Sequence, residues 1–224
     1  MADITVDSIW SADIRIAQPK RGYRFAVDAV LLAHFLKSEP ETEALEIGAG
    51  CGVISILFSR LQPCKRLTAV EIQPELAELA VRNFSANGMK PFATVLEQDA
   101  RELSRHFPSE SFDLIFCNPP YRRVGAGKLN PNSQKAIARH ELKMTLEDLF
   151  VCAGRLLKPS GRLSVILPDF RERDFRKLAE IHGFQLYELQ YVHSFATEPP
   201  AFFLATAGKQ PAPLLEHPPI TLHR

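Results

Sequence analysis

The chain has 224 residues, with 27 Lys and Arg against 26 Asp and Glu, for a formal net charge of +1. That length suits one α/β domain, or one domain with small additions, and the even charge balance excludes a globally basic nucleic-acid binder. No run of roughly 18 apolar residues is present to span a bilayer, and Met1-Ala2-Asp3-Ile4 lacks the basic-then-apolar order of a secretion signal, so a cytosolic location is the default.

The first chemical motif is Glu46-Ile47-Gly48-Ala49-Gly50-Cys51-Gly52, set between the short strand Ala44-Leu45 and the apolar stretch Val53 to Phe58. The order is strand, glycine turn, helix. Glycines let the backbone turn tightly and approach a ligand, and the helix start behind them offers unpaired N–H groups. The spacing G-x-G-x-G is neither the dinucleotide G-x-G-x-x-G nor a P-loop. Glu46, just before the loop, can accept bonds from a ligand ammonium, directly or through water. Lys65 to Glu71 reads as a second strand ending in an acid, with Glu71 23 residues after Gly48. That is close to the separation of roughly 20 residues at which a carboxylate reaches the ribose hydroxyls of a nucleoside. Pro74 starts a helix through Leu76, Leu79, Ala80 and Phe84. Thr94 to Glu97 is a further strand, followed by Gln98-Asp99-Ala100, where Asp99 is placed to accept a bond from an adenine amino group.

The second motif follows the apolar run Phe112 to Phe116. In Asn118-Pro119-Pro120-Tyr121 the Asn oxygen and the Pro119 carbonyl can both accept hydrogen bonds from one NH2. Two prolines stiffen the loop and remove its donors, and Tyr121 adds a flat face for a base. Taken alone, such a loop also reads as a turn; the upstream glycine loop and carboxylates favour chemistry.

Downstream, Leu146 to Leu157 is an amphipathic helix and Lys158-Pro159-Ser160-Gly161 a helix stop and turn. Gly161 to Leu167 alternates as a strand, Asp174 to His182 reads as a helix closed by Gly183, and Gln185 to His193 and Ala201 to Ala207 read as paired strands near an edge. The alternation implies an α/β fold: a seven-stranded, mostly parallel sheet ending in an antiparallel hairpin. Residues 208–224 are Pro-rich and without periodicity, and are expected to form a mobile tail beyond a single domain over 1–207. The four cysteines, Cys51, Cys64, Cys117 and Cys152, lack C-x-x-C spacing and are expected to be reduced and structural, with no metal.

Glu46 to Gly52, Glu71, Asp99 and Asn118 to Tyr121 occur in the order used by class I S-adenosylmethionine-dependent methyltransferases, which the chain resembles. The resemblance implies a Rossmann-like fold and S-adenosylmethionine as cofactor. It implies a cofactor site at Glu46, Gly48, Gly50, Gly52, Glu71, Ile72, Asp99, Ala100 and Asn118, and a catalytic loop of Asn118, Pro119, Pro120 and Tyr121. That loop narrows the likeness to enzymes that modify adenine N6, guanine N2 or a glutamine amide. Gln18 to Ala33, with Asp28-Ala29-Val30-Leu31-Leu32-Ala33, is similar to the N-terminal segment of the bacterial tRNA adenine-N6 methyltransferases that act on position 37 of a valine tRNA. In that family this stretch opens a helix over the methionine end of the cofactor, which implies a covering role for residues 1–40 and a cofactor contact for Asp28.

Charge bears on the substrate. Arg122, Arg123, Lys128, Lys135 and Arg139 lie between Tyr121 and Glu141 with no acid among them, in a stretch rich in Gly, Asn and Pro, and His140 follows. Lys20, Arg21 and Arg24 form a second cluster. These cations could hold phosphates around a flipped base; the bland alternative is a solvated loop. The reading is N6-methylation of an adenine in RNA, with tRNA as partner and no membrane. The alternatives are a protein glutamine N5-methyltransferase, against which the chain lacks room for an added helical domain; a DNA adenine methyltransferase, which usually carries a target-recognition domain; and a catalytically silent RNA-binding module. Oligomeric state is not legible.

Overall fold

The structure, a computed structural model, describes residues 4–9, 13–20, 26–119 and 144–223. A small antiparallel sheet of β1 (Ile4–Ile9) and β2 (Ile14–Pro19) precedes the main body. The main sheet is built from β3 (Glu43–Ile47), β4 (Arg66–Glu71), β5 (Ala93–Glu97), β6 (Phe112–Cys117), β7 (Leu157–Pro168), β8 (Gln185–Phe195) and β9 (Pro200–Gly208). Their spatial order is β5-β4-β3-β6-β7-β9-β8. The first five strands run parallel, and β9 is antiparallel to both of its neighbours. This is the expected α/β architecture with its terminal hairpin.

The helices are α1 (Val27–Phe35), α2 (Val53–Leu61), α3 (Pro74–Ala86), α4 (Leu146–Leu156) and α5 (Glu172–Ile181). Strand residues alternate between two cores. Ala44, Leu67, Ala69, Leu114 and Phe116 meet α1, α2 and α3, with Phe58 and Phe116 at 5.3 Å between ring centres. Leu45, Ile47, Val70, Ile115 and Cys117 meet α4 and α5, where Phe150 packs on Phe175 at 5.2 Å. Both faces are covered, so the central strands read as near-continuous apolar runs rather than alternating ones. Thr145 begins α4 with a capping box to Asp148, a device that contributes about 1 kcal/mol to a helix start.

Three features differ from the sequence expectation. The N-terminal hairpin was missed. It is short, and Asn83 of α3 and Asn87 just after that helix hold its backbone: Ala17 N–H donates to Asn83 Oδ1 at 2.8 Å, Asn83 Nδ2 donates to Ala17 O at 2.8 Å, and Asn87 Nδ2 donates to Arg15 O at 2.9 Å. The expected stop and turn at 158–161 is an irregularity within β7 instead. Phe112 faces Leu157 while Leu114 faces Arg162, so the intervening residues loop out, and Lys158 Nζ anchors them on Asp113 at 2.8 Å. Gly161 permits this, because a Cβ there would lie 2.9 Å from the Phe112 carbonyl oxygen.

Third, the segment expected to be a mobile tail pairs with β8. Strands β10 (Leu215–Glu216) and β11 (Ile220–His223) run parallel along it, giving nine strands in the main sheet among the described residues. Unpaired groups on the edge of β8 find partners there, which covers an edge that would otherwise be open. His217 Nε2 pairs with Glu188 Oε2 at 2.8 Å, and the His217 ring meets Phe35 of α1 edge-on at 6.0 Å.

Candidate active site

Strands β3, β4 and β6 end side by side: Ile47 faces both Val70 and Cys117 across the ladder. The chain leaving β3 turns toward β4, while β6 lies on the other side of β3. The crevice beyond these strand ends is therefore the topological switch point of the sheet, where open α/β folds bind ligands. The glycine loop, Glu71 and Asn118 all emerge into it.

The loop is folded by its own backbone. Gly48 N–H and Ala49 N–H both donate to Val70 O at 2.9 Å. Gly50 N–H donates to Glu71 Oε2 at 2.8 Å, and Gln73 N–H to Glu71 Oε1 at 2.9 Å. Glu71 thus stiffens both the glycine loop and the start of α3. Burial raises its pKa, and these backbone bonds act in the opposite direction. Gly52 caps α2 with φ of 83°, a left-handed value, and a Cβ there would fall 2.6 Å from the Phe84 ring. Only glycine satisfies both conditions. Asn83 Nδ2 also donates to Cys51 O at 2.8 Å, so one buried amide joins the N-terminal hairpin to the loop. Sequence reasoning missed Asn83; the available signal was a pair of asparagines, Asn83 and Asn87, one helical turn apart beside the apolar Ala80 and Phe84.

Glu46 is almost wholly buried, at 1% exposure. Its Oε2 accepts from the Ser55 hydroxyl and from Ser55 N–H at 3.1 Å, while Oε1 is buried without a hydrogen-bond partner. Burial pushes its pKa up to about 8 against the pull of the Ser55 bonds. An orphaned carboxylate oxygen beside a glycine loop and a helix start is a fit for a cationic group of a bound ligand.

Asn118 follows Cys117 directly, and its Nδ2 donates to Asp28 Oδ2 at 3.1 Å. Asp28 sits buried in the first turn of α1 and its Oδ1 also accepts from Ala29 N–H at 2.9 Å. Pro119 is buried beside Asn118. Ile72 and Ala100 lie next to Glu71 and Asp99, and Gln98 N–H donates to Glu71 O at 3.1 Å, holding the end of β5 against that of β4. Asp99 starts a short 3-10 turn, Ala100–Arg105, where its Oδ1 accepts from Arg101 N–H and its carboxylate pairs with the Arg101 guanidinium. Burial pushes the Cys117 thiol well above its usual range and the Cys152 thiol up to about 12, so neither is a thiolate nucleophile. Cys51, Cys64, Cys117 and Cys152 form no disulfide. Among the described residues no His, Cys, Asp and Glu cluster has metal-binding geometry, and no helix is long and apolar enough to cross a membrane. Pro120, Tyr121, Arg122, Arg123, Lys128, Lys135, Arg139, His140, Arg21 and Arg24 lie outside the described residues.

Comparison with known proteins agrees with this architecture. Residues 25–183 match the methyltransferase small domain family. The chain is 30% identical over 173 residues to the tRNA1(Val) (adenine(37)-N6)-methyltransferase of Aliivibrio salmonicida, covering 77% of this chain and 72% of that protein. It is 30% identical over 190 residues to the protein of the same name from Vibrio parahaemolyticus, covering 85% and 77%. A solved structure described as a predicted O-methyltransferase of Agrobacterium tumefaciens superposes with a TM-score of 0.65 at 22% identity, covering 87% of this chain and 86% of that one. With a methyltransferase sheet, a glycine loop at its switch point and a family match over most of its length, this chain belongs to the methyltransferase small domain family and is an S-adenosylmethionine-dependent methyltransferase.

Proposed function

We propose that this enzyme methylates N6 of an adenine in RNA, and that its substrate is adenine 37 of a valine tRNA. The observation that carries the reading is Asn118 at the end of β6, its amide nitrogen donating to Asp28 at 3.1 Å. In that orientation the amide presents its carbonyl oxygen, an acceptor, on the side away from Asp28. The names of the relatives from Aliivibrio salmonicida and Vibrio parahaemolyticus supply the substrate for the reading.

When bound, S-adenosylmethionine would supply an electrophilic methyl group. Glu71 would receive the ribose hydroxyls, Ile72, Asp99 and Ala100 would flank the adenine ring, and Glu46 Oε1 would take the ammonium. Asn118 Oδ1 and the Pro119 carbonyl accept the two hydrogens of the substrate amine. This withdraws the nitrogen lone pair from ring conjugation and orients it for attack. Tyr121 supports the base by stacking. Arg21, Arg24, Arg122, Arg123, Lys128, Lys135, Arg139 and His140 contact the RNA around it, in the cytoplasm. The cofactor would leave as S-adenosylhomocysteine and the surplus amine proton would pass to water; no strong base is needed, because that proton becomes acidic only as the new bond forms.

The test is mass spectrometry of nucleosides from tRNA of cells lacking the gene, incubated with enzyme and S-adenosylmethionine. New N6-methyladenosine beside the anticodon of a valine tRNA is the expected result. A methyl group at another adenine would correct the position, and no new methylated nucleoside would remove tRNA as the substrate.

Glu46 provides a second, independent check. A carboxyl raised from 4.5 to about 8 stabilises the fold fully below the lower value, and that stability is lost as pH rises through the upper one. Thermal scans of the cofactor-free protein should therefore show stability declining across this interval, with Glu46→Gln removing that contribution. A ligand ammonium favours the ionised form, so S-adenosylhomocysteine binding near neutral pH should release a proton in the wild type and none in Glu46→Gln. Calorimetry in buffers of different ionisation enthalpy reads this directly, and equal proton release in both proteins would refute the assigned contact.

A further inference from the structure

We infer that Asp28 is a positioning residue for methyl transfer: its carboxylate selects the productive orientation of the Asn118 amide. This rests on the reading of Asn118 as the acceptor of the substrate amine. A side-chain amide can be seated two ways round, and only one of them offers an acceptor to an incoming NH2; the reverse sets NH2 against NH2. An ionised carboxylate is acceptor-only, so Asp28 Oδ2, at 3.1 Å from Asn118 Nδ2, rewards the productive seating and repels the carbonyl of the reversed one.

The carboxylate is itself well anchored. Its Oδ1 accepts from Ala29 N–H at 2.9 Å in the first turn of α1, where the helix dipole also favours a negative charge. Ala29, Leu32, Ala33 and Phe35 bury one face of that helix in the core shared with α2. At the far end of α1, the ring of Phe35 meets His217, which the C-terminal segment holds on Glu188 of β8. A residue 90 positions away in sequence is thus brought to the catalytic loop by a helix fixed at both ends.

The experiment measures Asp28→Ala, Asp28→Asn and Asn118→Ala beside the wild type, with tRNA at saturation and with S-adenosylhomocysteine as the affinity probe. Asp28→Ala should lower kcat by roughly 10- to 100-fold, the scale at which slight misplacement of a reacting group acts, with probe affinity unchanged. Asp28→Asn keeps one acceptor oxygen and should recover part of the loss. The side-chain NH2 signals of Asn118, identified by their loss in Asn118→Ala, should shift in the spectrum of Asp28→Asn. Unchanged signals would overturn the inference even if Asp28→Ala did not fold. So would an Asp28→Ala enzyme with wild-type kcat and weakened probe affinity, which would make Asp28 a cofactor ligand. If Asn118→Ala retained turnover, the amine-acceptor reading itself would fall; if Asn118→Ala were inactive while Asp28→Ala kept its kcat, only the role of Asp28 would.

Discussion

Asn118→Ala is expected to reduce turnover by roughly 100- to 1,000-fold or more, the range seen when one preorganised hydrogen-bonding group is taken from a reacting centre. Affinity for S-adenosylhomocysteine should hold. The reason lies in how the two halves of the site are supported. The glycine loop is shaped by Val70 O and by the Glu71 carboxylate, neither of which depends on the Asn118 side chain. The Asn118 backbone position is set by β6, paired on both sides with β3 and β7 and continuing into buried Pro119, and Ala leaves it in place. What is lost is the proposed acceptor for the substrate amine and the amide held by Asp28. Single-turnover kinetics on tRNA, paired with calorimetry on the same preparation, separates the two effects. Wild-type turnover in this variant would end the proposed mechanism.

Glu71→Ala should act on the other half. Its two carboxylate oxygens receive Gly50 N–H and Gln73 N–H, both buried bonds. Leaving a buried donor unsatisfied costs about 1–3 kcal/mol. Removing the acceptor leaves two buried backbone donors unsatisfied and frees the glycine loop proposed to carry the cofactor. Cofactor affinity should fall by roughly 30- to 150-fold, equivalent to about 2–3 kcal/mol, and the unfolding temperature should drop with it. Glu71→Gln retains one oxygen and should fall between the two. Titration calorimetry and thermal unfolding on the three proteins check this. An unchanged affinity in Glu71→Ala would remove Glu71 from the cofactor site and leave it a purely structural residue.

Much of the fold was legible because its elements announce themselves locally. Pro74 at the first turn of α3, Gly183 with φ of 71° after α5, and the apolar runs of β4 and β6 all carry their structure in adjacent residues. The glycine loop was legible for the same reason, since positive φ at Gly48, Gly50 and Gly52 restricts the residue type. The C-terminal strands were not. Residues 208–224 have no alternation strong enough to signal a strand; Leu215–Glu216 and Ile220–His223 become strands by pairing with the edge of β8. The N-terminal hairpin was hidden likewise: what holds it is two asparagines, one on α3 and one at its C-terminal cap, 66 and 72 positions away.

The sequence by itself determined the fold class and the order of the motifs, because glycine turns, strand-end acids and a Pro-stiffened loop are properties of neighbouring residues. Only the tertiary structure decided which of those residues act on one another. Asp28 reads as a cofactor contact by resemblance, yet it lies against Asn118; Glu71 reads as a ribose ligand, yet it also clamps the loop; Asp99 reads as an adenine acceptor, yet it is paired with Arg101. The physical reason is that a hydrogen bond depends on where two groups are brought in space, and the packing of α1 on α2 and the register of β3 between β4 and β6 set those distances.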